Sequence, residues 1–366
     1  MFITAGFLNT ISSASFSIIQ SIQQVSITVA SGTLSNTATI TGVDTANTIL
    51  VWGGTTGSDI LSREEGDWCS AKLTNGTTVT VARLAAAAVT VTVNVTVLEF
   101  AANVIDSIQT GSVAVSGGIK TQSAVITSVV TTDSLCHFQG QTFSVTSATP
   151  GPFDAQARIV LADATTVTAT RAATSTSNLN AHYVVARFKP GVLNSSTQQI
   201  DFATSAEASC VTNISSVDLN KSVFFWGNFS SSATLTNAHP RVALASSTKL
   251  TVNKNDTAAA TRIAGTVVEF KSTNINSIQR GTVAFVSAGT VASAQASAVA
   301  TITSASLAKS AAFYTGSVIN PNTIATAFGQ SFSTISLSSP TELKAETDNK
   351  IRATTHTHGY QVVHFI

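Results

Sequence analysis

Three carboxylates fall within one short stretch of the chain, Arg63-Glu64-Glu65-Gly66-Asp67. Paired carboxylates perform general acid–base chemistry and the hydrolysis of glycosides. Neighbouring residues of a loop point their side chains apart, however, and no second acidic cluster lies at an equivalent position in the chain. We therefore interpret this stretch as a solvated loop, and we expect no catalytic residues and no enzymatic activity.

A histidine pair lies near the C-terminus, as His356-Thr357-His358, and His364 follows it. On a strand the two imidazoles would project from one face, and imidazole is the commonest metal ligand in proteins. Such a pair from each of three chains can bind iron on a three-fold axis. Short histidine pairs are also common by chance, and this one precedes the last predicted strand, so we expect neither a metal nor another cofactor.

Other reactive residues give weaker signals. Cys69, Cys136 and Cys210 are odd in number and form no C-x-x-C pair, so we interpret them as small buried hydrophobic residues. No G-x-S-x-G motif and no glycine-rich phosphate loop occurs. The aromatic run Phe224-Phe225-Trp226 has the composition of a sugar-stacking platform, but the repeats described next favour a place in the core.

A fourfold internal repeat organises the chain. Ile40, Ile126, Ile214 and Ile302 are spaced by 86, 88 and 88 residues, and an aromatic follows each isoleucine after twelve residues. Those aromatics are Trp52, Phe138, Trp226 and Tyr314, and a glycine follows each within two residues, at Gly53, Gly140, Gly227 and Gly316. A fixed period of this kind indicates a repeat architecture.

The repeats are predicted to consist of strands. Val89 to Val97 alternates valine with threonine or asparagine, the period-2 pattern of a half-buried strand. Asn75-Gly76 between two β-rich runs predicts a tight hairpin with positive φ at its centre. Six or seven short strands in each repeat favour an all-β fold of four tandem β-sandwich (Ig-like) domains of about 85–90 residues, with the repeated aromatic between the two sheets of each domain. The predicted domains are 17–101, 102–190, 191–272 and 273–366.

The N-terminal residues 1–16 precede the first repeat and are rich in apolar side chains, among them Phe2, Ile3, Phe7, Leu8 and Ile11. No sandwich of their own would cover these side chains, so we expect them to contact another chain or the first repeat. The sequence therefore predicts that residues 1–16 form an attachment segment.

Composition excludes several classes of partner. Only 10% of residues are charged, and 19 Lys and Arg balance 18 Asp and Glu, so no electrostatic field attracts nucleic acid. No segment approaches the length of apolar sequence that spans a membrane. A surface with few charges, rich in serine, threonine and alanine, favours packing against copies of the same chain.

The motifs Val267-Val268-Glu269-Phe270 and Ser277-Ile278-Gln279-Arg280-Gly281 recur in part as Val97-Leu98-Glu99-Phe100 and Ser107-Ile108-Gln109-Thr110-Gly111. With the Ala- and Thr-rich strands and the aromatic-glycine pairs, they resemble repeat domains in structural proteins of tailed bacteriophages. The resemblance covers most of the chain from about Ser21. It implies a non-enzymatic virion component, of the tail, fibre or capsid-surface type.

On this hypothesis the chain forms homo-oligomers and contacts other virion proteins, with a host-surface glycan as a further candidate partner. A bacterial cell-surface adhesin and an array of carbohydrate-binding modules remain as alternatives. The lack of a positively charged secretory segment before Gln24 and of an anchor after Ile366 counts against the adhesin.

Overall fold

A computed structural model of the chain describes residues 17–57, 65–144, 155–204, 207–232, 239–255, 260–286, 296–321, 333–347 and 354–366. The predicted attachment segment, residues 1–16, lies outside them. Within these ranges, six strands fall in each of the four repeats. Those of repeat 1 are β1 (Ile19–Val29), β2 (Ser35–Thr39), β3 (Thr48–Gly57), β4 (Cys69–Asn75), β5 (Thr78–Arg83) and β6 (Val91–Phe100).

The remaining repeats follow the same order. Repeat 2 contains β7 (Ile105–Val115), β8 (Thr121–Val125), β9 (Ser134–Ser144), β10 (Ala157–Asp163), β11 (Thr166–Arg171) and β12 (Asn178–Phe188). Repeat 3 contains β13 (Gln198–Ala203), β14 (Ser209–Asn213), β15 (Ser222–Ser231), β16 (Arg241–Ser246), β17 (Lys249–Asn253) and β18 (Thr261–Glu269). Repeat 4 contains β19 (Ile275–Val286), β20 (Ala296–Thr301), β21 (Ser310–Pro321), β22 (Thr334–Ser339), β23 (Glu342–Thr347) and β24 (Thr354–Phe365). Short 3₁₀ helices cover Thr45–Asn47, Glu65–Asp67, Thr131–Asp133 and Leu307–Lys309.

Each repeat divides its six strands between two antiparallel sets of three. The first and third strands flank the sixth, as β1 and β3 flank β6, and the second and fourth strands flank the fifth, as β2 and β4 flank β5. The valine alternation predicted for β6 is present, since Val91, Val93, Val95 and Val97 are all buried. The alternating pattern thus predicted the strand and its apolar face correctly, but Asn94 and Thr96 on the other face are buried as well, so the predicted half-buried strand is wrong in this respect.

The predicted tandem β-sandwiches are wrong. The described part of the chain is all-β, with five antiparallel sheets arranged as a five-bladed β-propeller. Three of the sheets have six strands, and each combines three strands of one repeat with three of its neighbour. One of them joins β3 of repeat 1 to β22 of repeat 4, through the pair Gly54 and Thr334, so the last repeat closes a ring on the first. Sheets shared between repeats rule out a string of separate domains.

Four repeats give five sheets because, within the described residues, one junction between repeats has no backbone bridge. At three junctions a glycine with positive φ pairs with the neighbouring repeat: Gly54 with Thr334, Gly140 with Ser70, and Gly316 with Arg241. A Cβ on any of these glycines would lie 2.1–2.4 Å from a neighbouring carbonyl oxygen. The glycine is required both for its φ and for this close approach.

Asn228 occupies the corresponding position at the junction between repeats 2 and 3, with φ of 70°. Its side-chain Nδ2 donates to Ala157 O at 2.9 Å, so a side-chain amide takes the place of the backbone bridge. The backbones still approach closely, because a Cβ on Gly227 would lie 2.8 Å from Ile159 O. The strands of this junction are consequently assigned to two three-stranded sheets.

Aromatic side chains from all four repeats meet at the centre of the ring. Phe188 contacts Phe100 and Phe270 edge to face, with ring centroids 5.9 and 5.5 Å apart, and Phe270 contacts Phe365 at 6.4 Å. These are the last residues of the Val-Leu-Glu-Phe type motifs, and each is 1% exposed. Edge-to-face pairs add to the free energy of apolar burial. The motif therefore contributes to one core shared by all four repeats.

The predicted hairpin at Asn75-Gly76 is present between β4 and β5. Gly76 is not among the glycines with positive φ, so the reason given for the turn was wrong. Asn75 Oδ1 instead accepts from Thr77 N at 2.9 Å, an Asx turn. Asp163 accepts from Thr165 N at 2.8 Å in the corresponding hairpin of repeat 2.

Candidate functional site

The repeated aromatics Trp52, Phe138, Trp226 and Tyr314 lie beside a cavity at the centre of the ring. Trp52 contacts Phe138 edge to face with centroids 5.9 Å apart, and Trp226 contacts Tyr314 at 6.1 Å. The first three are buried and Tyr314 is partly buried. The sequence placed them correctly in the interior, but they meet across repeats and not between two sheets of one domain.

Polar groups line the same cavity, contributed by different repeats. They include Thr55, Gln141, Gln156, Asn228, His239 and Ser333. The cavity offers about 60 Å³ to water, which suffices for a few water molecules. Pockets for small organic ligands are usually several hundred Å³. The aromatics therefore do not form a sugar-stacking platform, and Phe224-Phe225-Trp226 belongs to the core, as predicted.

The titratable groups at the cavity are held in their neutral forms. Burial raises the pKa of the Cys69 thiol to about 12, and that of Tyr314 to about 12. Burial lowers the pKa of His239 to about 3. At neutral pH the described part of the cavity therefore offers neither a thiolate nor an imidazolium for acid–base or nucleophilic chemistry. The other two cysteines, Cys136 and Cys210, are also buried, as predicted.

The histidine pair lies inside the ring. His356 and His358 are both fully buried on β24, with their imidazoles stacked at a centroid distance of 6.0 Å. His358 Nδ1 lies 3.3 Å from Ser333 Oγ, and His239 acts electrostatically on the same imidazole. An axis shared by three chains would require exposed imidazoles. No group of three His, Cys, Asp or Glu residues arranged to hold a metal occurs among the described residues.

The acidic cluster of the sequence is only partly described. Glu64 and the side chain of Glu65 lie outside the described residues. Asp67 is fully buried and faces Gly57, where a Cβ would lie 2.5 Å from its Oδ1. The interpretation of the cluster as a solvated loop is wrong for Asp67, because this carboxylate is in the interior.

Sequence reasoning missed the buried arginines. Arg83 donates to the carbonyl oxygens of Ala30, Thr33 and Val89 at 2.7–2.9 Å. Arg171 occupies the equivalent position in repeat 2 and donates to Ser116, Ile119 and Ser177, each at 2.7 Å. Both guanidiniums tie loops of their repeat together. Alignment of the repeats would have identified the equivalence of the two arginines, although not their burial.

Clefts between neighbouring repeats were also missed. Each lies where the fourth strand of one repeat meets the first and sixth strands of the next. The cleft between repeats 3 and 4 offers about 230 Å³ to water, and that between repeats 4 and 1 offers about 220 Å³. These clefts are larger than the central cavity.

Comparison with known proteins gives no relatives: no family model, no curated protein and no solved structure matches the chain. Within the described residues, no helix is long and apolar enough to cross a membrane.

Proposed function

We propose that the chain is a non-enzymatic structural component of a bacteriophage virion, a tail, fibre or capsid-surface protein. It binds other virion proteins and copies of itself, and its place of action is the virion. The observation that supports this proposal most is that the repeated residues have structural roles in the fold. Gln23, Phe100 and Gly54 have counterparts in other repeats. Gln23 stabilises its own repeat, while Phe100 and Gly54 join repeat 1 to its neighbours.

The surface of the ring suits contacts with protein. Four short strands lie at the ends of their sheets and carry only uncharged residues: Ser35–Thr39, Thr121–Val125, Ser209–Asn213 and Ala296–Thr301. Val125 is 88% exposed, Val211 51% and Val299 50%. Exposed β-branched residues at sheet ends are sites where other chains pack. Few charges have to be desolvated when such a surface is covered.

The proposal is tested by locating the chain. Particles purified from infected cells should contain it, shown by mass spectrometry, and an antibody against the ring should label one part of the particle in electron micrographs. Its presence on the bacterial envelope and absence from particles would overturn the proposal in favour of the adhesin. Hydrolysis of a glycan by the purified chain would overturn the non-enzymatic role.

Self-association is tested separately in solution. The triple variant Val125→Lys, Val211→Lys, Val299→Lys should lower the molar mass measured by light scattering, because three charges would have to be desolvated in the contact. Asn103→Lys, a single charge at an exposed turn residue outside these four strands, is the control. An oligomer unaffected by the triple variant would place the contact between copies elsewhere on the ring.

A further inference from the structure

The cleft between repeats 3 and 4 contains two arginines that form no ion pair with a carboxylate of the described residues. Arg241 and Arg280 both line it, together with Thr282, Tyr360 and Gln361. No ion pair joins either arginine to an acidic residue in the described part of the chain. The Nε atoms of both arginines are buried without a hydrogen-bond partner among the described residues. A desolvated charge without a partner is costly.

Some of the polar groups in the cleft already form hydrogen bonds within the chain. One Nη of Arg280 donates to Ser222 O, and the Gln361 side chain exchanges two hydrogen bonds with the backbone of Phe224. Desolvation lowers the pKa of Arg280 to about 10. Asp218 acts in the opposite direction, by favouring the charged form of Arg280, but forms no ion pair with it within the described residues. Desolvation also lowers the pKa of Arg241. Within the described part of the cleft, Arg241 is thus the residue with the most hydrogen-bond donors available to a ligand.

The equivalent position between repeats 2 and 3 shows what satisfies such an arginine. Arg158 corresponds to Arg241, since each lies on the fourth strand of its repeat, five residues before the residue that closes the following hairpin, Asp163 with Thr166 and Ser246 with Lys249. Arg158 Nε donates to Asp201 Oδ1 at 2.8 Å and its Nη2 to Asp201 Oδ2 at 3.3 Å. This two-point contact is the preferred geometry between guanidinium and carboxylate.

Register places Thr282 where repeat 3 has Asp201. Asp201 pairs with Ala264 on β18, and Thr282 pairs with Gly359 on β24. The Arg241 side chain packs over Gly359, where a Cβ would lie 2.7 Å from its Cγ. The junction between repeats 3 and 4 thus keeps the arginine, has a threonine in place of the carboxylate, and leaves a cleft of about 230 Å³.

We propose that the cleft between repeats 3 and 4 is a binding site for a carboxylate, with Arg241 as its main ligand-binding residue and Arg280 as a second cation. The carboxylate occupies the place that the Asp201 side chain takes in the preceding repeat. Thr282 is exposed and marks the entrance, and the Tyr360 ring supplies an apolar wall. A free acidic sugar and an acidic side chain of another protein both present this group.

Binding is tested by NMR, following the arginine Nε–H signals while ligand is added. Sodium glucuronate represents the acidic sugar and N-acetylaspartate the acidic side chain, and glucose and inorganic phosphate are the comparators. At least one carboxylate should bind, and the tighter of the two identifies the source. Arg241→Gln should weaken it at least tenfold, because it removes the two-point contact. Binding of phosphate alone, no binding of either carboxylate at millimolar concentration, or unchanged affinity in Arg241→Gln would overturn the proposal.

A second variant supplies the carboxylate from within the chain. Thr282→Asp should pair with Arg241, abolish carboxylate binding and raise the unfolding midpoint by about 1–3 °C. Thr282→Asn keeps the shape of the aspartate without its charge, so it should neither abolish carboxylate binding nor raise the unfolding midpoint. Ser112→Asp is the matched control, because Ser112 of repeat 2 corresponds to Thr282, and Ser70 of repeat 1 is at the position that corresponds to Arg241. An equal rise in Ser112→Asp and Thr282→Asp, or retained binding in Thr282→Asp, would contradict the site.

Discussion

The side-chain amide of Gln23 forms two hydrogen bonds with the backbone of Thr41, as Nε2 donates to Thr41 O at 3.0 Å and Oε1 accepts from Thr41 N at 2.7 Å. Gln109 with Thr127, Gln198 with Ser215 and Gln279 with Thr303 repeat the arrangement. The glutamine of the Ser-Ile-Gln motif therefore links the first strand of each repeat to the residue after the anchor isoleucine.

Loss of one such link should cost about 1–2 kcal/mol, because Gln109→Ala leaves two backbone groups of Thr127 without their protein partner while solvent remains near. Urea unfolding of the full chain measures this loss. Gln20→Ala is the control, since Gln20 is exposed and forms no comparable link. Equal effects of the two variants would show that the link contributes nothing to stability.

The phenylalanine layer makes unfolding a property of the whole ring. Phe188→Ala should destabilise the chain by about 3–5 kcal/mol, the usual loss for emptying a large aromatic site. Because Phe188 contacts the phenylalanines of repeats 1 and 3, calorimetry should show one transition at a lower temperature. Separate transitions, with only repeat 2 affected, would contradict a shared core.

The junction glycines should tolerate no side chain. Gly140→Ala has to accept both φ of +90° and a Cβ 2.4 Å from Cys69 O, so its free energy of unfolding should fall by at least 2 kcal/mol more than that of Gly118→Ala. Gly118 has φ of +79° and nothing within 4 Å of its Cβ position, and it reports the backbone strain alone, about 1–2 kcal/mol. Denaturant unfolding of both variants separates strain from collision.

Acid should destabilise the ring between about pH 6.5 and 4. Burial lowers the pKa of His137 to about 4, and its Nε2 accepts from Trp52 N at 3.0 Å, a bond that protonation removes. The unfolded chain binds this proton below pH 6.5 and the folded chain does not, so stability is complete above pH 6.5 and falls as the pH approaches 4. The loss is on the order of 3 kcal/mol for His137.

His137→Gln keeps an acceptor without a titrating group, so its free energy of unfolding should vary less with pH over this range. The measurement is urea unfolding at pH 7, 5.5 and 4.5. An unchanged pH dependence would assign the acid sensitivity to other buried histidines, among them His239, His356 and His358, whose pKa values are lowered in the same direction.

The strands and their buried faces followed from sequence because valine alternation and the repeated aromatics report local burial. The pairing between repeats did not, because each six-stranded sheet depends on one bridge between repeats, such as Gly140 with Ser70, and neither residue has a side-chain pattern that identifies its partner. The side-chain pattern of each fourth strand is equally compatible with pairing inside its own repeat, so it does not predict pairing with the next repeat. The cleft at Arg241 could have been found by aligning Arg158 with Arg241 and Asp201 with Thr282.

Closure of the ring through Gly54 and Thr334 has a consequence for synthesis on the ribosome. About 280 residues separate the two partners, and at 5–20 residues per second the ribosome needs roughly 15–55 s to supply the second. During that interval the edge of β3 has no neighbouring strand, and the aromatic residues that repeat 4 contributes to the centre of the ring are absent. Nascent chains are thus most exposed to misassembly before repeat 4 emerges, and pairing over such a sequence distance makes completion slow.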